Sequence, residues 1–413
     1  MVKLAKALLT GSVIFFVLSG VTSVLNYAFY PVIAHFAGVE LFGEIQFFLT
    51  LLNQFGVGFM VLNILSIIIT VNKKHEKELV GLNNLSNLVV LGIAVVGSAV
   101  LIVCMPLFQI TSVWPILMLG ISMLAHIPYT IELGRLQGNG QFAFSGIVAI
   151  SAAFMKLAFA ILFIVIGLGA AGAILGYSLG LVLAYLMSLW WNKALRIKKP
   201  VFGKTFLQDI RFVTNRKGLL VAALATMSVL MVLSTIDVVV LKTVLGEVEM
   251  GQYAGISTVA KIILAMATPL MWLAAPRAVG GDMRTVRKFF LITLGLTITA
   301  AAGCLITKGF IIGVVFGLPD NPFLQLMPLA LLSAVLFSLA IYLGVMAICR
   351  VRLRLSFGLA ILAPIFFGVA FFVMSGEGEI VRRVLLSQIA AASVALVTLV
   401  VGLWKDLTRN YSS

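Results

Sequence analysis

Three charged side chains lie deep inside apolar sequence, where charge is expensive. Asp237 sits in "STIDVVVLK", at the end of a run that begins "GLLVAALATMSVLMVL". Lys261 follows in "VAKIILAM", and Lys156 occupies "AAFMKLAFA". An acid at a bilayer centre costs roughly 2.5–3.5 kcal/mol on insertion scales, so such residues face a partner or water rather than lipid. A buried lysine offers a point charge to an anion, and a buried aspartate holds a cation or takes a proton. A turn centred near Val248 sets Asp237 and Lys261 at similar depth on neighbouring helices, because each residue adds about 1.5 Å of helix. The pair then either fixes packing by mutual neutralisation or lines an interior site. Lys156 lies about 15 Å from the outer end of its run, too far to snorkel, and is expected to face the interior.

The elements that must position these residues are membrane helices. The 413 residues are 62% hydrophobic and 10% charged, with mean hydropathy +1.17; a soluble globule carries about a quarter charged residues. About twelve apolar runs of membrane-spanning length recur along the chain, which predicts an all-α polytopic membrane protein with about 12 transmembrane helices. The opening "MVKLAKALLTGSVIFFVLSG" imitates a leader, but its apolar run continues through "VTSVLNYAFYPVI", as an uncleaved first helix does. Cys104, Cys304 and Cys349 lie in or at the ends of spans and encode no disulfide framework.

The net charge of +15 concerns orientation rather than nucleic acid. With a cytoplasmic N-terminus, 23 of the 29 basic residues fall on cytoplasmic segments, a strong positive-inside asymmetry. All five tryptophans fall near span ends, as an interfacial belt places them.

The longest polar segment divides the chain into an N-lobe (1–192, six spans), a cytoplasmic linker (193–217) and a C-lobe (218–413, six spans). "GVELFGEIQFF" after the first span and "GEVEMGQYAGI" after the seventh carry glycines at the same spacing, Gly38 and Gly43 against Gly246 and Gly251. The offset of 208 describes parallel repeats related by an axis along the membrane normal, and places Asn53 at the position of Lys261. Gly172, Gly176 and Gly180, and likewise Ser387, Ala391 and Ala395, recur every four residues and read as close helix contacts.

Together, "LGEVEMGQYAGIS" after an Asp-bearing seventh span, its counterpart "FAGVELFGEIQFF" and "GLGAAGAILGYSLG" at the sixth span resemble the polysaccharide transporter family. Its members are Wzx-type flippases within the MOP (MATE-like) exporter superfamily. The resemblance implies two six-helix lobes around a central cavity in a multi-pass protein of the bacterial inner membrane. The implied activity is alternating-access transfer of an undecaprenyl-pyrophosphate-linked oligosaccharide, an O-antigen or other surface-polysaccharide repeat unit, from the cytoplasmic to the periplasmic leaflet. Expected partners are membrane lipids, this lipid-linked substrate, and a polysaccharide polymerase and chain-length regulator; no cofactor and no nucleic acid are expected. The candidate cavity residues are Lys156 and Lys261 for the head group, Asp237 beside Lys261, and Asn53, Asn26 and Tyr30 as hydrogen-bonding positions.

Other classes fit less well. "VFGKT" has Lys198 where a Walker A loop needs its first glycine, so no phosphate nest is encoded. A polymerase or glycosyltransferase needs acid/base residues displayed on a sizeable outer loop, and every expected outer loop is short. A drug or cation exporter of the same superfamily is the nearer rival, but it would favour acids over deep lysines. Glu132 and Arg135 read as an interfacial pair, and His126 as a packing residue.

Overall fold

The computed structural model describes residues 2–71, 76–191, 217–318, 320–350, 352–374 and 380–408. Among these there is no strand. The helices are α1 (Val2–Val71), α2 (Glu76–Val103), α3 (Trp114–Gly138), α4 (Phe142–Val165), α5 (Gly169–Trp191), α6 (Lys217–Lys242), α7 (Glu247–Met266), α8 (Thr268–Val279), α9 (Met283–Ile306), α10 (Met327–Cys349), α11 (Leu353–Val373) and α12 (Ile380–Thr408). A short turn, Lys308–Phe310, a π-helical stretch, Ile311–Val315, and a 3-10 turn, Pro322–Leu326, link α9 to α10.

Among the described residues, eleven segments are long and apolar enough to cross a membrane. The first, Val17–Val71, has 55 residues and would reach about 80 Å as one rod, against a hydrocarbon core of about 30 Å. It is two spans. Gly38, at φ 79° and ψ 167°, breaks the helical path between them, a conformation that only a residue without Cβ adopts freely. The span Glu247–Val279 is similarly interrupted at Ala267, where Pro269 opens α8. The expected linker 193–217 lies outside the described residues apart from Lys217.

The chain forms two compact units, Met1–Phe29 with Phe36–Leu220, and Tyr30–His35 with Val221–Ser413. In the first, α4 and α5 pack along their length, and α5 also lies on α3. Glycines set the distance: a Cβ on Gly176 would stand 2.4 Å from the Ala160 backbone nitrogen, and one on Gly180 2.4 Å from that of Lys156. The four-residue glycine spacing is therefore a contact surface for α4. On α3, Arg135 grips Glu132 through Nε (2.8 Å) and Nη2 (2.6 Å), and Ser188 Oγ donates to Glu132 Oε1 at 2.9 Å. The expected Glu132–Arg135 pair is present, and Glu132 is buried. A carboxylate carried into a helix bundle needs its partners there, and α5 supplies the extra donor.

In the second unit α10 is the central helix. Its span is 83% buried, whereas that of α9 is 11% buried. Apolarity on every side marks a core helix in α10, while in α9 the same composition meets lipid. Tyr342 of α10 donates its hydroxyl to the Val286 carbonyl at 2.8 Å, which satisfies its polar tip inside the bundle. Asp282 caps α9 by accepting from the Thr285 backbone N–H at 3.1 Å. Ser387, Ala391 and Ala395 of α12 are buried, and α12 packs on α10 and α11.

Candidate functional site

In the first unit, Lys156 lies near the middle of α4, 9 residues before its end at Val165, about 14 Å from that end. Its side chain is buried. Nζ donates to Asn26 Oδ1 at 2.7 Å and stands over the Tyr177 ring, 4.4 Å from the centroid. Tyr177 is on α5, three residues before Gly180, so the glycine contact that draws α5 onto Lys156 also brings the ring over its ammonium. A further neighbour of this ring is His126 of α3, stacked at 5.5 Å, and His126 stacks in turn on Phe59 at 4.6 Å with an interplanar angle of 6°. His126 Nδ1 lies 3.1 Å from the Ser122 carbonyl; a carbonyl only accepts, so Nδ1 carries the proton. Both groups holding the ammonium are neutral. Among the described residues no carboxylate is at ion-pairing distance from Lys156. A cation–π contact is worth about 2 kcal/mol when desolvated, less than the cost of burying a full charge.

The second unit holds Asp237 differently. Tyr253 OH and Ser257 Oγ donate to Asp237 Oδ2 at 2.7 and 2.8 Å, and Gln388 Nε2 reaches Oδ1 at 3.4 Å while donating to the Leu233 carbonyl at 2.9 Å. Lys261 is within coulombic range of Asp237. The two residues line one cavity with Ser234, Ser257, Ser333 and Gln388. Its volume, about 20 Å³, admits roughly one water. The expectation of equal depth for Asp237 and Lys261 is corrected. The turn is centred between residues 243 and 246, not near Val248, because α7 already starts at Glu247. Glu247 and Glu249 lie in its first turn, where the helix dipole favours acids, and Glu249 Oε2 accepts from the Gly246 N–H at 3.3 Å. The residue level with Asp237 is then Tyr253, with Lys261 about two turns farther along α7.

Of the six candidate positions, Lys156 and Asn26 are thus joined in one unit, and Asp237 and Lys261 share a cavity in the other. Asn53, half-buried on the second arm of α1, hydrogen-bonds to neither cluster. Tyr30 is half-buried and groups with the second unit. Sequence reasoning missed Tyr177 beside Lys156, and Tyr253, Ser257 and Gln388 around Asp237, while His126, read as a packing residue, does stack between rings. The available signal was helical spacing: Tyr253, Ser257 and Lys261 recur every four residues on one face of α7. No group of His, Cys, Asp and Glu among the described residues is arranged to hold a metal ion.

No protein-family model matches the chain, and no curated protein matches it. Solved structures do match. The eukaryotic MATE transporter AtDTX14 superposes with a TM-score of 0.75 at 12% identity, over 99% of this chain and 96% of that one. The lipid II flippase MurJ, in its inward closed conformation, gives 0.69 at 13% identity over 96% and 89%. A MOP superfamily transporter from Pyrococcus furiosus gives 0.64 at 14% identity over 98% and 97%. The fold is that of the MATE transporters and MurJ. At these identities the likeness concerns the path of the helices, so the roles of the side chains rest on the geometry above.

Proposed function

We propose that this chain is a flippase that moves an undecaprenyl-pyrophosphate-linked oligosaccharide, a repeat unit of O-antigen or another surface polysaccharide, from the cytoplasmic to the periplasmic leaflet of a bacterial inner membrane. The observation that carries this reading is Lys156, a buried mid-span cation whose partners are an amide oxygen and an aromatic ring. Such a charge is balanced best by an anion brought from outside the protein. A pyrophosphate carries about two negative charges and cannot enter hydrocarbon unaided; a fixed ammonium near the midplane, where transporters keep their sites, stabilises it there. That MurJ, one of the proteins of like fold, is a lipid II flippase supports the same substrate chemistry. A drug or cation exporter would place an unsatisfied acid at this depth, whereas Asp237 already accepts from three donors. Polymerase and chain-length regulator proteins are the partners this role calls for.

The test is the double variant Lys156→Ala, Lys261→Ala in the native host. Surface polymer should be lost with the protein still in the membrane, and lipid-linked repeat units should accumulate on the cytoplasmic face. Normal surface polymer would rule out these cations as the head-group site. Repeat units already outside but unpolymerised in a deletion strain would point to an enzyme instead.

A further inference from the structure

At the end of the first unit that the basic-residue distribution assigns to the outer face, three segments converge: the start of the second arm of α1, the approach to α3, and the turn into α5. They enclose a cavity of about 480 Å³, within the range of about 300–1,000 Å³ typical of small-molecule sites. Its polar groups are the Glu44 carboxylate and the hydroxyls of Thr111 and Ser112, and Trp114 lines it beside them. Trp114 is 63% exposed and opens α3, with Pro115 fixing the first turn behind it.

At the corresponding end of the second unit the 3-10 turn Pro322–Leu326 precedes α10, its Phe323 is buried and packs edge-on against Tyr253 at 6.0 Å, and Asn321 Nδ2 donates to the Gln252 carbonyl at 2.7 Å. Gln252 is the position 208 residues after Glu44. In the first unit the cavity is faced by a carboxylate and an indole, where the second unit carries Gln252 and Pro322 at the same offset.

The lining selects a ligand class. No cation lines the cavity, so it does not suit a phosphate. Glu44 is the one carboxylate in the lining, and it interacts with another group of the protein. An exposed indole face stacks on the C–H face of a pyranose, while a carboxylate and two hydroxyls accept from and donate to ring hydroxyls, the combination of apolar body and few placed polar groups that orients small ligands. We propose that this cavity is a saccharide subsite, taking one or two neutral sugar units at the outer mouth of the first unit. Its physiological source, the oligosaccharide of the transported lipid, rests on the flippase reading above.

The experiment is saturation-transfer NMR on the full chain in lipid nanodiscs, with neutral disaccharides of glucose, galactose and N-acetylglucosamine as probes and tetramethylammonium as competitor. At least one disaccharide should receive saturation from the protein. Trp114→Ala should weaken it about tenfold, equivalent to about 1.4 kcal/mol, whereas Trp114→Tyr, which keeps a stacking face, should retain most of the binding. Glu44→Gln, which keeps an acceptor oxygen, should weaken it only a few-fold. Binding to none of the disaccharides, unchanged affinity in Trp114→Ala, or loss as complete in Trp114→Tyr as in the alanine variant would overturn the subsite. Displacement by tetramethylammonium, together with abolition in Glu44→Gln, would make it a cation site. The flippase reading fails separately: a deletion strain without cytoplasmic accumulation of lipid-linked units would refute that reading while leaving saccharide binding to stand.

Discussion

Gly180→Ala is the sharpest probe of how packing positions the buried lysine. The added Cβ would stand 2.4 Å from the Lys156 backbone nitrogen and 2.6 Å from its Cγ. Ordinary contact begins at 3.4 Å, so α4 and α5 must part by about 1 Å at this level. The obstacle is backbone, which cannot rotate aside as a side-chain tip would. Overpacking of this kind costs roughly 1–3 kcal/mol, while replacing a helical glycine by alanine returns about 1 kcal/mol. The net loss should be about 0–2 kcal/mol, a fall in unfolding midpoint of at most about 8 °C for a unit of this size. Transport should suffer more than stability. Moving α5 away takes the Tyr177 ring off Nζ, and export of lipid-linked units should fall by about tenfold, since a displacement of about 1 Å is enough to spoil a positioned group. Gly134→Ala is the control. Its Cβ would meet the Asn63 carbonyl oxygen at 2.6 Å and Ser66 Cβ at 2.7 Å, so it is comparably crowded, but on α3 and away from the contact with Lys156. Midpoints measured in detergent and accumulation measured in cells should therefore separate for the two variants. The reasoning is refuted if Gly180→Ala exports normally, or if Gly134→Ala loses export as fully at an equal loss of stability.

Three further outcomes follow from particular contacts. In a double-mutant cycle of Tyr253→Phe with Asp237→Ala, read by denaturation, the coupling should be about 1–2 kcal/mol, since charge-assisted hydrogen bonds exceed the modest values usual between membrane helices; a coupling near zero would remove Tyr253 as the holder of Asp237. Reporter fusions after Lys199 and after Trp404 should both report the cytoplasm, and a periplasmic signal from either would invert the positive-inside argument. Asp282→Ala should lower the unfolding midpoint slightly at neutral pH, as loss of an N-cap does. The Thr285 hydroxyl and N–H, with Arg277 and Arg284 nearby, hold the Asp282 carboxyl below its ordinary value of 3.8. Its contribution is therefore present above that value and lost as pH falls through the lower folded-state one, so variant and parent should converge in acid and differ fully at pH 7. A gap that persists in acid would assign the loss to something other than the charged cap.

What the sequence made legible depended on the range of the interaction. Span number follows from length and hydropathy, and the chain supplied both clearly, even where only the kink at Gly38 separates two spans. The glycines at 172, 176 and 180 were legible because helix geometry alone puts them on one face. The level of Asp237 was misjudged through a local signal given too little weight. Glu247 and Glu249 are helix-opening residues, and reading them as turn shifted the pairing from Tyr253 to Lys261. The remaining partners carry no local mark at all. Asn26 is 130 residues from Lys156 and Gln388 is 151 from Asp237, and nothing in either neighbourhood distinguishes these amides from ordinary polar residues of a span. Glu132 and Arg135 were recognisable as a pair from their i, i+3 spacing, but their burial depended on Ser188, 56 residues away from Glu132.

The two units solve the burial of charge in opposite ways, and the difference bears on function. Around Asp237 the protein supplies Tyr253, Ser257 and Gln388 as donors and Lys261 as a nearby opposite charge, and leaves room for about one water. That arrangement satisfies the acid internally, and removing a donor should cost stability first. Around Lys156 it supplies an amide oxygen and the face of one aromatic ring, which orient the ammonium without cancelling it. A fixed, oriented and uncancelled charge is costly to the folded protein in the absence of a ligand, and the cost is recovered when an anion binds. Stability and transport should accordingly come apart between the units. Neutralising Lys156 should relieve the resting protein while disabling it, whereas neutralising Asp237 should weaken the fold before it touches the substrate.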